Sequence, residues 1–399
     1  MRKNIVSIGA GALCLGVLLS VSCTKMDHYY KDYIVERTYI GKPDSIWVQP
    51  GDYKVQVGML TPKDAEAREL IVRWSGTDGL DSAVLPIDRD LEEQTIIIEG
   101  LEERDYLFDA FTVDGLGNRS LSMELSSPVF GDTFRERMQP RSLSHSVLFP
   151  DSVALVWSEL GQTETLFGSE IEFTDKNGEE QVVFSPSNSL ISVVRDADPT
   201  RPLSVRAVHR PHPNAFEYFY TDPVTVDLAE TKRNTLTFSS TTYTDAVYVD
   251  FHWVRGFLEA DVPTPMAADI DMCYALGAGS RGNLFTINSP SFSAFADNWQ
   301  ALINSWSVRN EAMMKLERGA EAVALYDGLD ELDRDQMANA YTSSAAAPST
   351  RLSALVPDDI ILLHSSDRDL YVAIKVLSTP PPTAGALGDF EIEFKVSRP

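Results

Sequence analysis

Short runs in which apolar and polar residues alternate recur along the first third of the chain. A period of two is typical of half-buried β-strands, and no amphipathic helical pattern separates these runs. The glycine- and asparagine-rich segment Asp114–Asn118 favours a hairpin loop between two of them. The predicted strands cover 53–59, 69–74, 95–98, 106–113 and 121–129. Their regular spacing predicts a β-sandwich over residues 41–133.

Two further modules are predicted from the same kind of pattern. In residues 144–229, the run Asp151–Trp157 alternates, and Asp175–Gly178 is typical of a tight hairpin turn. These features predict a second β-sandwich. Residues 235–399 form a third predicted module, in which strand-like runs surround segments with the spacing of helices. Its predicted strands cover 246–251, 360–364, 370–376 and 390–396, with a further strand at Asp269-Ile270-Asp271.

Helical spacing occurs in the third module only. Apolar and aromatic residues from Phe295 to Trp306 recur on one helical face. A second, shorter helix is predicted from Leu329 to Met337. The expected fold class is therefore mostly β: tandem immunoglobulin- or fibronectin-like sandwiches, followed by a β-rich C-terminal domain with one or two inserted helices.

The N-terminal residues have the pattern of an export signal. Arg2 and Lys3 precede an apolar run that is too short to span a membrane, and small residues follow it. Residues 1–22 are therefore predicted to be a signal peptide, and 23–40 a tether. Small residues before Cys23 resemble a lipobox, so membrane lipid attached to the Cys23 thiol is the expected partner and anchor. Cleavage near Ser22 without lipidation is the alternative.

Charge and cysteine content restrict what the exported chain does. A formal net charge of −25 argues against nucleic acid as a partner, because phosphates would be repelled. Of three cysteines, Cys14 leaves with the leader and Cys23 is the lipid site, so only Cys273 remains. An internal disulfide is therefore excluded in the mature chain, and Cys273 is predicted to be a small buried residue.

The first module also carries a resemblance to a known family. Its opening Gly41–Ser45, the Glu102…Tyr106 corner, the 114–120 loop and the ending Val129–Asp132 resemble an uncharacterised domain of Bacteroidetes cell-surface lipoproteins. That domain is similar to a fibronectin type III sandwich, and the likeness covers roughly residues 27–133. Met59 stands where such domains usually place a core tryptophan. The resemblance implies an outer-membrane lipoprotein, facing the surface or the periplasm, and transfers no catalytic residue.

Candidate sites for metal ions and catalysis are weak. Asp269 and Asp271 would share one face of a strand, but they lack the glycine-bearing loop that calcium sites use. A solvated strand face is the favoured interpretation, so no metal and no cofactor are predicted. No nucleophile elbow and no phosphate-binding glycine loop occurs in the sequence. No catalytic residue is therefore predicted.

Three tryptophans remain as candidate ligand contacts. Trp47, Trp74 and Trp253 lie in or beside predicted strands, and Trp47, near Pro50-Gly51 at a module edge, is the one most expected to be exposed. Most tryptophans in such positions belong to a core. The leading hypothesis is a non-enzymatic lipoprotein that binds an extracellular glycan or scaffolds an envelope protein. The alternatives are a structural pilus or adhesin component, and a carbohydrate-active enzyme using carboxylates of the C-terminal domain.

Overall fold

The computed structural model describes most of the chain from residue 39 onward. The described residues are 39–77, 79–158, 163–239, 248–257, 264–277, 280–289, 303, 305–380 and 389–398. They form 25 β-strands and four α-helices, and every strand pairing within the sheets is antiparallel. The mostly β fold class predicted from the sequence is confirmed.

Two compact units divide the chain. The first consists of Met1–Glu136 and Pro211–Tyr218, and the second of Arg137–Arg210 and Phe219–Pro399. Apart from Pro211–Tyr218, both sequence-predicted modules after residue 137 thus lie in the second unit. The three-module boundaries stay a prediction.

The first unit contains a two-sheet sandwich. Its strands are β1 (Ile46–Pro50), β2 (Lys54–Leu60), β3 (Ala67–Ser75), β4 (Leu80–Pro86), β5 (Glu93–Glu99), β6 (Asp105–Asp114) and β7 (Met123–Pro128), followed by helix α1 (Asp132–Arg137). One sheet has the order β1-β2-β5 and the other β4-β3-β6-β7. This three-plus-four arrangement is that of a fibronectin-like sandwich.

Alternation of side chains builds the core of this sandwich. Val55, Val57 and Met59 of β2 point inward and are fully buried, so methionine fills the position where a tryptophan is usual. The predicted hairpin loop is confirmed: the Asp114 carboxylate accepts the backbone N–H groups of Leu116 and Asn118 at 2.9 and 2.8 Å. Gly117 has a φ of 88°, a conformation that favours glycine.

A second sandwich of the same type lies in the second unit. Its strands are β8 (Leu143–Leu148), β9 (Ser152–Trp157), β10 (Leu166–Thr174), β11 (Glu180–Pro186), β12 (Ile191–Arg195), β13 (Leu203–His209), β14 (Phe219–Tyr220) and β15 (Val224–Val226), followed by helix α2 (Leu228–Thr231). The sheets have the orders β12-β9-β8 and β11-β10-β13-β14, with β15 also on β13. The predicted turn between β10 and β11 is confirmed, since Asp175 Oδ1 accepts from Asn177 N at 2.8 Å.

Two five-stranded sheets form the C-terminal region. Its elements are β16 (Thr235–Ser239), β17 (Tyr248–Asp250), β18 (Arg255–Phe257), β19 (Met272–Gly277), β20 (Ser280–Thr286), β21 (Ala312–Glu317), α3 (Ala320–Gly328), α4 (Arg334–Ser343), β22 (Arg351–Leu352), β23 (Ile360–Ser365), β24 (Leu370–Ser378) and β25 (Asp389–Ser397). The sheet orders are β16-β25-β24-β23-β21 and β18-β17-β19-β20-β22. One buried cluster joins both sheets to Val147, Phe149, Ala154 and Val156 of the second sandwich.

Three local predictions in this region need comment. The helix predicted from Phe295 to Trp306 lies largely outside the described residues. The short helix predicted over Leu329–Met337 is misplaced, because Leu329 is the C-cap of α3 and Asp333, whose carboxylate accepts from Gln336 N at 3.0 Å, is the N-cap of α4, which contains Met337. The predicted Asp269-Ile270-Asp271 strand is also wrong: a 3-10 helix occupies Thr264–Asp269, and β19 begins only at Met272.

Candidate functional site

Trp47 lies on the solvent-facing side of the first sandwich. Its neighbours along β1, Ile46 and Val48, pack against the core, so alternation turns the Trp47 side chain outward. Trp47 is half-buried and pairs across the sheet with Gly58, which in turn pairs with Thr95 of β5. The prediction that Trp47 lies near the surface therefore agrees with its place in the sheet.

Gly58 provides the space in which the Trp47 ring lies. A Cβ atom at position 58 would come within 2.4 Å of ring carbons Cε2 and Cζ2 of Trp47, a distance that no real contact allows. The indole thus occupies the position of a side chain on β2. This arrangement fixes an aromatic ring on the sheet surface, as aromatic residues do over glycines in other sheets.

The other outward-facing residues around Trp47 form a mixed polar surface, which we call the Trp47 face. Gln49 follows two residues later on β1, and Gln56 pairs with both Gln49 and Ile97. Gln49 and Gln56 are half-buried, whereas Thr95 and Ile97 are exposed. An aromatic ring beside two amide groups offers both stacking and hydrogen bonding to a ligand.

Trp74 and Trp253 contribute to hydrophobic cores. Trp74 packs against the core of the first sandwich, with its ring centroid 6.1 Å from that of Phe108. Trp253 packs against the main buried cluster of the second unit, 5.7 Å from the Phe149 ring. Of the three tryptophans singled out from the sequence, Trp47 is therefore the one whose position suits a ligand contact.

Asp271 is part of a buried ion-pair network and does not lie on a solvated strand face. Arg368 bridges two carboxylates: its Nη1 donates to Asp271 Oδ2 at 2.7 Å, and its Nη2 donates to Asp250 Oδ1 at 3.0 Å. Arg255 binds the other oxygen of Asp250 through Nη2 at 2.8 Å. Asp269 lies at the more exposed end, 3.4 Å from Arg255.

The environment of Asp271 favours its neutral form. Burial raises the pKa of the Asp271 carboxyl to about 7, although Arg368 opposes the shift. Its second oxygen, Oδ1, has no hydrogen-bond partner, which fits a carboxyl that holds a proton part of the time. Among the residues that the structure describes, no group of three or more His, Cys, Asp or Glu is placed to hold a metal ion.

A cleft with a positively charged lining lies elsewhere in the second unit, and we call it the Arg233 cleft. It encloses about 240 Å³ between the second sandwich and β18. Two arginines line it, Arg233 and Arg255. The remaining lining residues are Ser144, His145, Val156, Trp157, Ser158, Leu190, Ile191, Gly256 and Phe257. Sequence reasoning missed this cleft, because its lining comes from five separate segments and carries no motif.

The charges around the cleft are not balanced. Burial lowers the pKa of His145, and the charges of Arg233, Arg255 and Arg398 lower it further. A neutral ring then donates from Nε2 to the Trp253 carbonyl at 2.9 Å and accepts from the Ser144 hydroxyl at Nδ1. Asp250 and Asp269 compensate Arg255, whereas no described carboxylate lies within ion-pair distance of Arg233.

Cys23 lies outside the described residues, so the predicted lipid site stays a prediction. Within the part of the chain that the structure describes, no helix has the length and apolar character needed to cross a membrane.

Comparison with solved structures found likenesses to β-sandwich proteins. The chicken CNTN1 FN1–FN3 domains share 10% identity at a TM-score of 0.32, covering 48% of this chain and 69% of that one. A two-domain fibronectin type III segment of chicken tenascin shares 14% sequence identity at a TM-score of 0.20, and the match covers 46% of this chain and 97% of that one. A DUF4466 family protein from Parabacteroides merdae shares 12% identity at a TM-score of 0.31, and the match covers 66% of this chain and 95% of that one. At these values the likenesses identify no function for this chain.

Comparison with curated proteins gave no match. The sequence model of one family does match: DUF4998, described as a domain of unknown function, covers residues 23–219. That range begins at Cys23 and extends through most of the second sandwich, beyond the first module to which the sequence resemblance was confined. The chain is thus similar, over residues 23–219, to a family for which no function is described.

Proposed function

We propose that this protein is a non-enzymatic, lipid-anchored protein of the bacterial cell envelope that binds a glycan through the Trp47 face. The observation that carries the proposal is the seating of an outward-facing indole over Gly58. An aromatic ring offers a flat apolar surface on which the C–H groups of a sugar ring stack. Gln49 and Gln56 add the donors and acceptors that sugar hydroxyls require.

The charge of the chain supports a neutral rather than an anionic ligand at this face. The formal net charge is −25, and exposed Glu93 and Glu99 of β5 lie on the outward side of the same sheet. A polyanion would be repelled there, whereas an uncharged polysaccharide would not. Binding without turnover is the simplest use of such a stacking surface.

Replacing Trp47 by alanine is expected to weaken glycan binding by at least about tenfold, because buried aromatic anchors dominate small interfaces. Affinity gel electrophoresis of the mature chain in starch, xyloglucan, galactomannan and mannan would measure this. The conservative Trp47→Phe variant should keep most of the retardation. Tyr39→Ala, which removes an aromatic side chain that is 56% exposed in the same unit, is the matched control and should behave as wild type.

The glycan proposal has two ways to fail in that experiment. If none of the four polysaccharides retards the wild-type chain, the Trp47 face does not bind neutral glycans. If Trp47→Ala binds as wild type, the ligand lies elsewhere. Gln56→Ala, which leaves the ring in place, tests the same face without disturbing its seat and should weaken binding as well.

Replacing Cys23 by serine is expected to abolish lipid attachment and release the protein from the membrane fraction. The reason is that only the thiol accepts the acyl-bearing group, and lipid chains supply roughly 0.8 kcal/mol of membrane affinity per buried methylene. Mass spectrometry of the mature N-terminus, with membrane fractionation, measures both effects. Cys14→Ser, which changes a leader cysteine, is the control and should keep the lipid. An unmodified wild-type N-terminus, with protein free in the medium, contradicts the anchor.

A further inference from the structure

We propose that the Arg233 cleft is a second binding site, which takes a small organic carboxylate of the size of one sugar acid. The cleft lies in the second unit and the Trp47 face in the first, so this inference does not rest on the glycan proposal. Three properties of the cleft support it: an uncompensated charge, a partly apolar wall and a suitable size.

The uncompensated charge is that of Arg233. No carboxylate of the described residues lies within ion-pair distance of it, and burial lowers its pKa without an opposing attraction. An arginine that is partly desolvated and unpaired is stabilised by any anion that enters the cleft. This is unusual in a chain with 59 acidic and 34 basic side chains, where an arginine has many carboxylates to choose from.

Arg255 gives the anion a second, firmly held neighbour. Asp250 accepts hydrogen bonds from its Nε at 3.1 Å and its Nη2 at 2.8 Å. These bonds fix the plane of the guanidinium, and none of the hydrogen bonds of the described residues uses Nη1. A carboxylate between Arg233 and the fixed Arg255 would meet two planar donors, the geometry that guanidinium groups offer to carboxylates.

The apolar wall argues for an anion carried on an organic group. Val156, Leu190 and Ile191 line the cleft together with the rings of Trp157 and Phe257. A free inorganic anion would leave these side chains without a partner and would lose its own hydration. A carbon ring that bears a carboxylate satisfies both parts of the lining. The volume of about 240 Å³ admits one such ring but not a long chain.

Isothermal titration calorimetry of the full mature chain tests this site with D-glucuronate as the probe. D-glucose lacks the carboxylate and inorganic phosphate lacks the ring, so both should bind at least about tenfold more weakly than glucuronate. Raising the salt concentration should weaken glucuronate binding, because the Arg233 charge is accessible to ions. Trp47→Ala should leave glucuronate binding unchanged, which separates this site from the Trp47 face.

Arg233→Met should weaken glucuronate binding by about tenfold or more, since it removes the unpaired cation. Arg195→Met makes the same charge change at an exposed position of β12 and is the matched control. Its affinity for glucuronate should stay within about twofold of that of wild type. Arg233→Lys keeps the positive charge but loses the paired planar N–H donors of the guanidinium, so its affinity for glucuronate should lie between those of wild type and Arg233→Met. Three results would overturn the proposal: no glucuronate binding by wild type, equal binding of phosphate, or an Arg233→Met variant that binds as wild type.

Discussion

Replacing Arg368 by methionine is expected to lower the free energy of unfolding by about 3–5 kcal/mol. Arg368 is the shared partner of Asp250 and Asp271, both of which are fully buried. Methionine fills a similar volume but cannot donate hydrogen bonds. Asp271 would keep one bond, from the Phe251 N–H at 3.0 Å, and would lose the only cation that contacts it among the described residues. Urea unfolding of the purified chain without residues 1–22 measures the loss.

The pH dependence of this loss follows from the direction of the pKa shift. Burial raises the pKa of Asp271 to about 7, well above the value of an unfolded aspartate, so folding favours the protonated form. The stability that this group contributes is present at low pH and declines as the pH rises through about 7. Without Arg368, the ionised form of the Asp271 carboxyl is less stable in the buried site, and the pKa of Asp271 rises further. The difference between the variant and wild type should therefore widen from pH 6 to pH 8.

Arg334→Met is the matched control for this experiment. Arg334 pairs with Asp369, whose side chain is 61% exposed, so this pair is largely solvated. Exposed pairs contribute about 0–1 kcal/mol, and the control should lose no more than that. If Arg368→Met is no more destabilising than Arg334→Met, or if its loss is the same at pH 6 and pH 8, the buried network does not stabilise the second unit in the way described.

Replacing Phe390 by alanine is expected to cost about 3–5 kcal/mol of unfolding free energy. The Phe390 ring stacks on Tyr274 with centroids 4.9 Å apart and lies 5.9 Å from Phe238. All three rings are almost completely buried in the cluster that joins the two C-terminal sheets to the second sandwich. Truncation would leave a cavity. Because the surrounding side chains are closely packed, they cannot move in to fill it.

Thermal and urea unfolding of Phe390→Ala, compared with Phe184→Ala, would measure this effect. Phe184 lies on β11 and is 44% exposed, so its truncation should cost about 1 kcal/mol or less. A loss below about 1.5 kcal/mol for Phe390→Ala would mean that the cluster repacks around the missing ring. Similar losses for the two variants would contradict the assignment of Phe390 to the core.

Strands that bury one face completely could be predicted from the sequence. Strands whose residues are mostly exposed or half-buried could not be predicted. The alternation in β2 reflects the inward Val55, Val57 and Met59, which are fully buried. By contrast, β4 lies at a sheet edge, where only Ala83 and Leu85 pack against the core and both are only half-buried, so its sequence LDSAVLP shows little alternation. For β1, Pro50 marks the end of the strand, and its residues are mostly half-buried on both sides.

The candidate sites were predictable only as far as they depend on neighbours in sequence. Trp47 could be singled out from its position near Pro50-Gly51, but the seat that Gly58 provides depends on the register between β1 and β2. For Asp271, local alternation suggested a solvated face. Its fate is decided by Arg368, which follows 97 positions later in the chain. Arg233 and Arg255 had no sequence signal, because neither belongs to a motif.

The pairing of Trp47 with Gly58 also restricts how this surface evolves. A larger residue at position 58 would collide with the indole, so it becomes tolerable only after the tryptophan has been exchanged for something smaller. That order passes through a bare glycine in the middle of a strand, which costs about 0.5–1 kcal/mol relative to alanine. Among homologous sequences, positions 47 and 58 should therefore change together. Their covariation should be strongest in homologues whose aromatic ring no longer binds a ligand.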